Sequence, residues 1–222
     1  MGSNIGTTFQ SQLFAFDIME YSFILLLIGG THFFIKDERK KLILEIILYL
    51  GFLFFAIFLI EYLVKNPTVY QEIRARLQEG DFKLFRTVLA GGFFTVIIQS
   101  SGAVVGIVIS LAKQGILELT TAIAIMMGAE LGTCSNTLIA SIGGKREAIA
   151  LALFNLIFNI YCVSLGVLFF DQFIELIQWI FNDFNVARQI ANGHILFNSL
   201  GVLITLPFVG LYVSWIKKRL GI

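Results

Sequence analysis

Long apolar runs separated by short polar clusters set the pattern of the chain. The runs over 18–35 and 42–64 each approach the roughly 20 residues that a helix needs to cross the hydrocarbon of a bilayer, and "KDERKK" between them is a solvated connection. After Pro67, "TVYQEIRARLQEGDFK" mixes charges with Val69, Ile73 and Leu77 at helical spacing, which predicts an amphipathic linker helix along the interface over 67–83. Two further transmembrane helices are predicted at 145–170 and 187–216. Between them and the linker lie two interrupted segments. The segment 84–112 carries no charge after Arg86, and Gln99-Ser100-Ser101 interrupts it between arms running from Thr87 to Ile98 and from Gly102 to Ala112. Each arm around that triplet is about a dozen residues, roughly 18 Å at 1.5 Å per residue against about 30 Å of hydrocarbon. The pattern admits one continuous span or two half-helices folding back as a re-entrant hairpin with Gln-Ser-Ser at its tip. The segment 116–142 is interrupted by "GAELGTCSN", which predicts a broken helix.

Composition turns this pattern into a class. With 222 residues, 57% hydrophobic and 14% charged, the chain has more apolar surface than one soluble core of that length hides, so an all-α integral membrane protein is expected. A net charge of +1 gives no basic field for nucleic acid. The opening "MGSNIGTTF" lacks the positive charge of a secretory signal, and Gly6 stands where N-myristoylation wants Ser or Thr. Cys134 and Cys162 fall in apolar stretches without partner spacing and read as free buried thiols. Lys and Arg are spread so evenly that they choose no membrane orientation.

The chain also repeats itself. "MGSNIGTTFQSQLFA" from Met1 lies over "MGAELGTCSNTLIAS" from Met127 with Met, two glycines and a threonine in register. If 84–112 is a hairpin, three crossings separate the copies and they sit inverted in the membrane, an architecture common among secondary transporters. Here the sequence resembles the type II sodium-dependent phosphate cotransporters. The marks are Gln99-Ser100-Ser101 at a hairpin tip, a "G-A/S-N-I-G-T" broken helix at both Gly2–Thr7 and Gly128–Thr133, and later helices like "GGKREAIALALFNLIFN" and "GHILFNSLGVL". The resemblance implies an inverted-repeat secondary transporter: 1–66 as a partial first repeat, 67–83 as linker, and 84–222 as second repeat. It implies a multi-pass protein of the cell (inner) membrane, an elevator-like mechanism, and a PhoU-like helical domain as regulatory partner. This sequence departs from the family pattern at Gly102, where a third Ser is usual, and at Glu130, where Asn is usual. It also starts at the motif that a first hairpin should precede, so a second copy or an N-terminal half is expected to complete the site.

The residue types suit small ions. A serine at the tip is a favourable N-cap, and the amides of Gly102, Ala103 and Val104 would open the following half-helix, a dipole end that attracts anions. The expected phosphate ligands are Gln99, Ser100, Ser101 and Gly102 with Ser3, Asn4, Thr7 and Thr8. Hard oxygen donors for sodium are expected from Gln99, Ser100, Glu130, Thr133, Ser135, Asn136 and Thr137. No Lys or Arg lies between Thr87 and Ala112 or between Gln114 and Gly144, so sodium, acting as coupling ion without other cofactors, must neutralise the anion. His32, His194, Asn155 and Asn159 are expected to hydrogen-bond to neighbouring helices rather than bind metal. The competing readings are transport of another small oxyanion, a passive channel, and a membrane-embedded hydrolase with Ser101 as nucleophile and His194 as base.

Overall fold

The computed structural model describes residues 1–16, 21–79 and 83–221. Residues 18–20 of the first apolar run and 80–82 of the predicted linker lie outside them. Every regular element among the described residues is helical: α1 (Gly2–Ala15), α2 (Ser22–Gly30) with a 3-10 turn (Thr31–Phe34), α3 (Glu38–Val64), α4 (Pro67–Glu79), α5 (Leu84–Ile98), α6 (Ser101–Lys113), α7 (Leu119–Ser141), α8 (Arg146–Leu168), α9 (Phe170–Ile180), α10 (Val186–Thr205) and α11 (Val209–Leu220).

Local chemistry accounts for the boundaries. Asp37 caps α3 by accepting from the Lys40 amide at 2.9 Å, and Asn185 caps α10 by accepting from the Arg188 amide at 3.0 Å. Pro67 opens α4, where a missing N–H costs nothing. Pro207 lies in a short 3-10 turn, Leu206–Phe208, that joins α10 to α11. Four helical stretches are long and apolar enough to cross a membrane: Glu38–Val64, Leu119–Ser141, Arg146–Leu168 and Val186–Arg219. The chain is a membrane protein, and α3 presents Leu42, Ile46, Tyr49, Phe52 and Tyr62 outward as a lipid-compatible face.

Helix α7 is the axis of the molecule, packed by α5, α6, α8 and α10, while α1 lies against α6 and α10 and α2 pairs with α3. Ile109, Ile123, Met126 and Met127 are fully enclosed in this core. Helix α9 falls in a stretch to which the sequence pattern assigns no helix. It is too short to span, and its buried Phe170, Phe173, Ile174 and Ile177 recur at the spacing of one helical face.

The broken-helix expectation is corrected at both motifs, and α1 runs unbroken from Gly2 to Ala15. The segment 116–142 is not a broken helix, because α7 runs continuously from Leu119 to Ser141 through "GAELGTCSN". Its glycines serve contact instead. A Cβ on Gly128 would collide with the Val88 carbonyl, and one on Gly132 would meet the Gly92 carbonyl and Thr95. On the facing helix, a Cβ on Gly91 would strike the Ile125 carbonyl. Together they let the backbones of α5 and α7 touch, the small-residue packing of membrane helices. The polar groups of the same stretch are satisfied without a break: Thr133 donates to the Ala129 carbonyl at 2.9 Å and Thr137 to the Cys134 carbonyl at 3.0 Å.

Candidate functional site

The chain does break at Gln99. Helix α5 ends at Ile98, Gln99 adopts the left-handed conformation (φ 59°, ψ 22°), Ser100 is extended, and α6 begins at Ser101. Gln99 is the one non-glycine residue with positive φ among those described. The Ser100 hydroxyl accepts from the Ala103 amide at 3.2 Å and the Ser100 carbonyl accepts from the Val104 amide at 3.2 Å. The amides expected to be free at Ala103 and Val104 are therefore taken, and those of Ser101 and Gly102 are left without an acceptor among the described residues. Ser101 itself is buried.

Two side chains from other helices close on this tip. Asn136 of α7 donates to the Gln99 carbonyl at 2.9 Å, and the Ser135 hydroxyl donates to the Asn136 side-chain oxygen at 3.2 Å. From α1, the Gln10 carboxamide lies so close to Gly102 that a Cβ there would run into it. A side chain at position 102 would have to turn the Gln10 carboxamide aside. Gln10 was not among the expected ligands, yet it stands in register with Asn136 when Met1 is set over Met127, so the repeat itself carried the signal.

The other expected residues divide. The Gln99 side chain turns back to the Val96 carbonyl of its own helix. Thr137 faces α8, accepting from Asn155 at 3.2 Å. Thr7 and Thr8 donate to carbonyls three residues back, at 2.8 and 2.7 Å, and Ser3 is exposed. Asn4 points away from the tip into a second polar cluster.

That cluster centres on Glu130, 2% exposed, and His194, 1% exposed. His194 Nε2 lies 2.6 Å from Glu130 Oε1, and His194 Nδ1 lies 2.6 Å from the Ser11 hydroxyl. Asn4 donates to Glu130 Oε2 at 3.1 Å and to Asn159 Oδ1 at 2.7 Å, while Asn198 approaches Glu130 Oε1 at 3.4 Å. Both carboxylate oxygens thus face nitrogen, so Glu130 stands outside the oxygen set near the tip. His194 meets Ser11, not Ser101, and Ser11 is wholly enclosed, which removes the geometry a Ser101 hydrolase requires. His194, Asn155 and Asn159 bond between helices as expected, whereas His32 bonds the Gly29 carbonyl of its own turn at 3.0 Å. Cys134 and Cys162 are free and buried. A cavity of about 330 Å³ beside α8 and α11, lined by Phe154, Phe158, Tyr161 and Tyr212 among others, is almost wholly apolar and offers no place for an anion.

The family model described as Na+/Pi-cotransporter matches residues 1–62 and 66–181. The chain belongs to the Na+/Pi-cotransporter family. Within curated proteins it is similar to the "Uncharacterized protein YqeW" of Bacillus subtilis (strain 168), 30% identical over 213 residues that cover 96% of this chain and 68% of that protein. It is also similar to YjbB of Escherichia coli (strain K12), whose name proposes inorganic phosphate export, at 25% identity over 212 residues, 94% of this chain and 38% of that one. The Salmonella typhimurium protein of the same name is 23% identical over 221 residues, covering 98% and 40% of the two chains. The chain thus spans about two thirds of YqeW and about two fifths of the YjbB proteins. No solved structure matches it. Membership in this transporter family points to phosphate movement across a membrane rather than to chemistry on a substrate.

Proposed function

We propose that the chain is part of a sodium-coupled carrier of inorganic phosphate, and that the tip at Gln99–Gly102 is its anion site. The observation that carries this is the break itself: two amides, of Ser101 and Gly102, without an acceptor among the described residues, at the start of α6 inside an apolar protein, with no Lys or Arg between Thr87 and Ala112. In a bilayer an unpaired amide costs several kcal/mol, so the tip persists only if something binds it, and a helix N-terminus favours an anion. Ser100 and Ser101 complete the anion's ligands, with Gln10 alongside; Ser3 and Thr7, on the same face of α1 as Gln10, are the further hydroxyls this reading assigns to it, whereas Thr8 is buried. Sodium is bound by oxygens of Gln99, Ser100, Thr133, Ser135 and Asn136, supplying the positive charge that no basic side chain provides; Thr137, turned to α8, is left out of the set.

The re-entrant reading of α5 and α6 is supported by their lengths, 15 and 13 residues, each too short for a crossing. The inverted repeat is supported by a contact at its centre: Asn4 and Glu130 occupy equivalent positions in the two copies and hydrogen-bond to each other, as residues on a twofold axis do. Gly2 and Gly6, the counterparts of Gly128 and Gly132, have nothing within 4 Å. We take that open face as the place where a second copy or an N-terminal half packs as α5 packs on α7. Alternating access by an elevator-like movement, location in the inner membrane and a PhoU-like partner belong to the same reading.

The test is labelled phosphate movement in liposomes carrying the chain alone or extended upstream, with sodium gradients of either direction. Sodium-driven accumulation is expected, running outward or inward as the gradient is reversed, which accommodates the export in a relative's name. Equal phosphate binding with and without sodium would end the proposal, since symport requires that each ligand raise the other's affinity. Arsenate and sulfate as competitors decide between phosphate and another oxyanion.

A further inference from the structure

We propose that Glu130 and His194 together form a binding site for one exchangeable proton, separate from the hairpin tip, whose occupancy Ser11 passes to α1. The cluster is enclosed, with Glu130 2% and His194 1% exposed, and the side chains bonded to the pair among the described residues are Asn4, Ser11 and Asn198, all neutral. A bare carboxylate so placed is expensive; a carboxylate and an imidazole that share one added proton have no net charge, whether the proton sits on Nε2 or on the carboxyl. The pair at 2.6 Å is therefore a neutral unit when it holds that proton and carries one negative charge when it does not. Neutral amides from three helices, Asn4 of α1, Asn159 of α8 and Asn198 of α10, surround the pair and cannot substitute for the proton.

The other titratable groups in this core are the thiols of Cys134 on α7, which donates to the Glu130 backbone carbonyl at 3.9 Å, and of Cys162, buried on α8. The charged residues of the remaining packed helices are Arg86 in the first turn of α5, Lys113 at the end of α6, Asp171 and Glu175 of α9 and Arg188 in the first turn of α10, whereas Glu130 and His194 lie midway along α7 and α10.

Ser11 is the transmitter because its hydroxyl meets the other ring nitrogen at 2.6 Å. Toward a neutral ring with Nδ1 bare, Ser11 donates; toward an imidazolium it must accept. That reversal is local to α1, the helix that also presents Gln10 to Gly102 at the tip. A proton on the pair thus bears on the anion site without touching the anion.

The chain has two histidines, so His32→Gln leaves a single imidazole to observe. Nitrogen-15 resonances of His194 are followed in lipid-reconstituted H32Q protein between about pH 5 and 9, without phosphate, so that titration of the anion cannot intrude. The imidazole is expected to change protonation state within that range, and E130Q to displace the change at least tenfold in proton concentration. Infrared difference spectra of the unsubstituted protein are expected to show a carboxyl band changing over the same interval, which keeps the test open if E130Q does not fold. Ser11→Ala is expected to keep the His194 transition but to remove the same part of the pH dependence of phosphate uptake that E130Q removes, leaving the part set by phosphate's own ionisation. An imidazole fixed in one state throughout, or a transition indifferent to E130Q with no carboxyl change, overturns the proposal. The spectroscopic arms stand without the phosphate-transport reading; only the uptake arm rests on it, so the two can fail separately.

Discussion

Gln99 holds a left-handed backbone at φ 59° that a side chain normally avoids, at a cost of about 1–2 kcal/mol. Glycine would adopt it freely, less its own entropic penalty in the unfolded chain. Gln99→Gly is therefore expected to raise thermal stability by about 1 kcal/mol in detergent while lowering phosphate transport, because the carboxamide next to the open amides is lost. A melting curve and a liposome assay on the same preparation check both halves; a less stable variant with full transport would mean the strain has no functional role. The sequence made the position of this break legible, since three polar residues interrupt an apolar run. It did not reveal that Ser100 rather than Ser101 would be the cap, which depends on the one residue that turns left-handed. Nor did it reveal the surroundings of Glu130, whose partners lie 64, 68 and 126 residues away and meet it only once α1, α7 and α10 are packed.

At the scale of elements, glycine spacing alone was ambiguous: the same "GAELGT" pattern suits a broken helix and a tight crossing. The facing helix decides between them, because Gly91 and Gly92 of α5 bring a second backbone against Gly128 and Gly132. Gly128→Ala is accordingly expected to destabilise the protein by about 1–3 kcal/mol, the usual cost of overpacking a site whose neighbour is an immovable carbonyl. Gly2→Ala, at the equivalent position of the first copy, is expected to leave the melting temperature of this chain unchanged, since nothing lies within 4 Å of it. Should the same Gly2→Ala change lower the stability of an upstream-extended chain, a helix must have come to occupy that face. The long spans α3, α8 and α10 were readable from hydropathy. The short α9 was hidden because a single amphipathic face of 11 residues carries little weight beside spans twice its length.

For the whole molecule, the telling feature is that the proposed twofold passes through a contact between unlike residues. Asn4 and Glu130 meet at 3.1 Å, and of the two only Glu130 bonds His194, so the aligned positions are unequal in charge. Asn4→Glu would set two carboxylates against each other in an enclosed site with one imidazole between them, and should cost folding heavily or force one to stay protonated. Exchanging the pair, Asn4→Glu with Glu130→Asn, restores a single carboxylate at the axis. If the two positions are related by the twofold, the exchanged chain should recover most of the stability lost by Asn4→Glu alone, measured by melting in detergent. It should not recover the wild-type pH dependence of transport, because a carboxylate at position 4 no longer stands where Glu130 meets His194 Nε2, and α1 reaches that ring only through Ser11 at Nδ1. Recovery of neither would mean that the Asn4–Glu130 contact owes nothing to symmetry. Recovery of both would mean that the carboxylate reaches His194 equally well from α1, and the unequal charge would then be a matter of which copy happens to carry it.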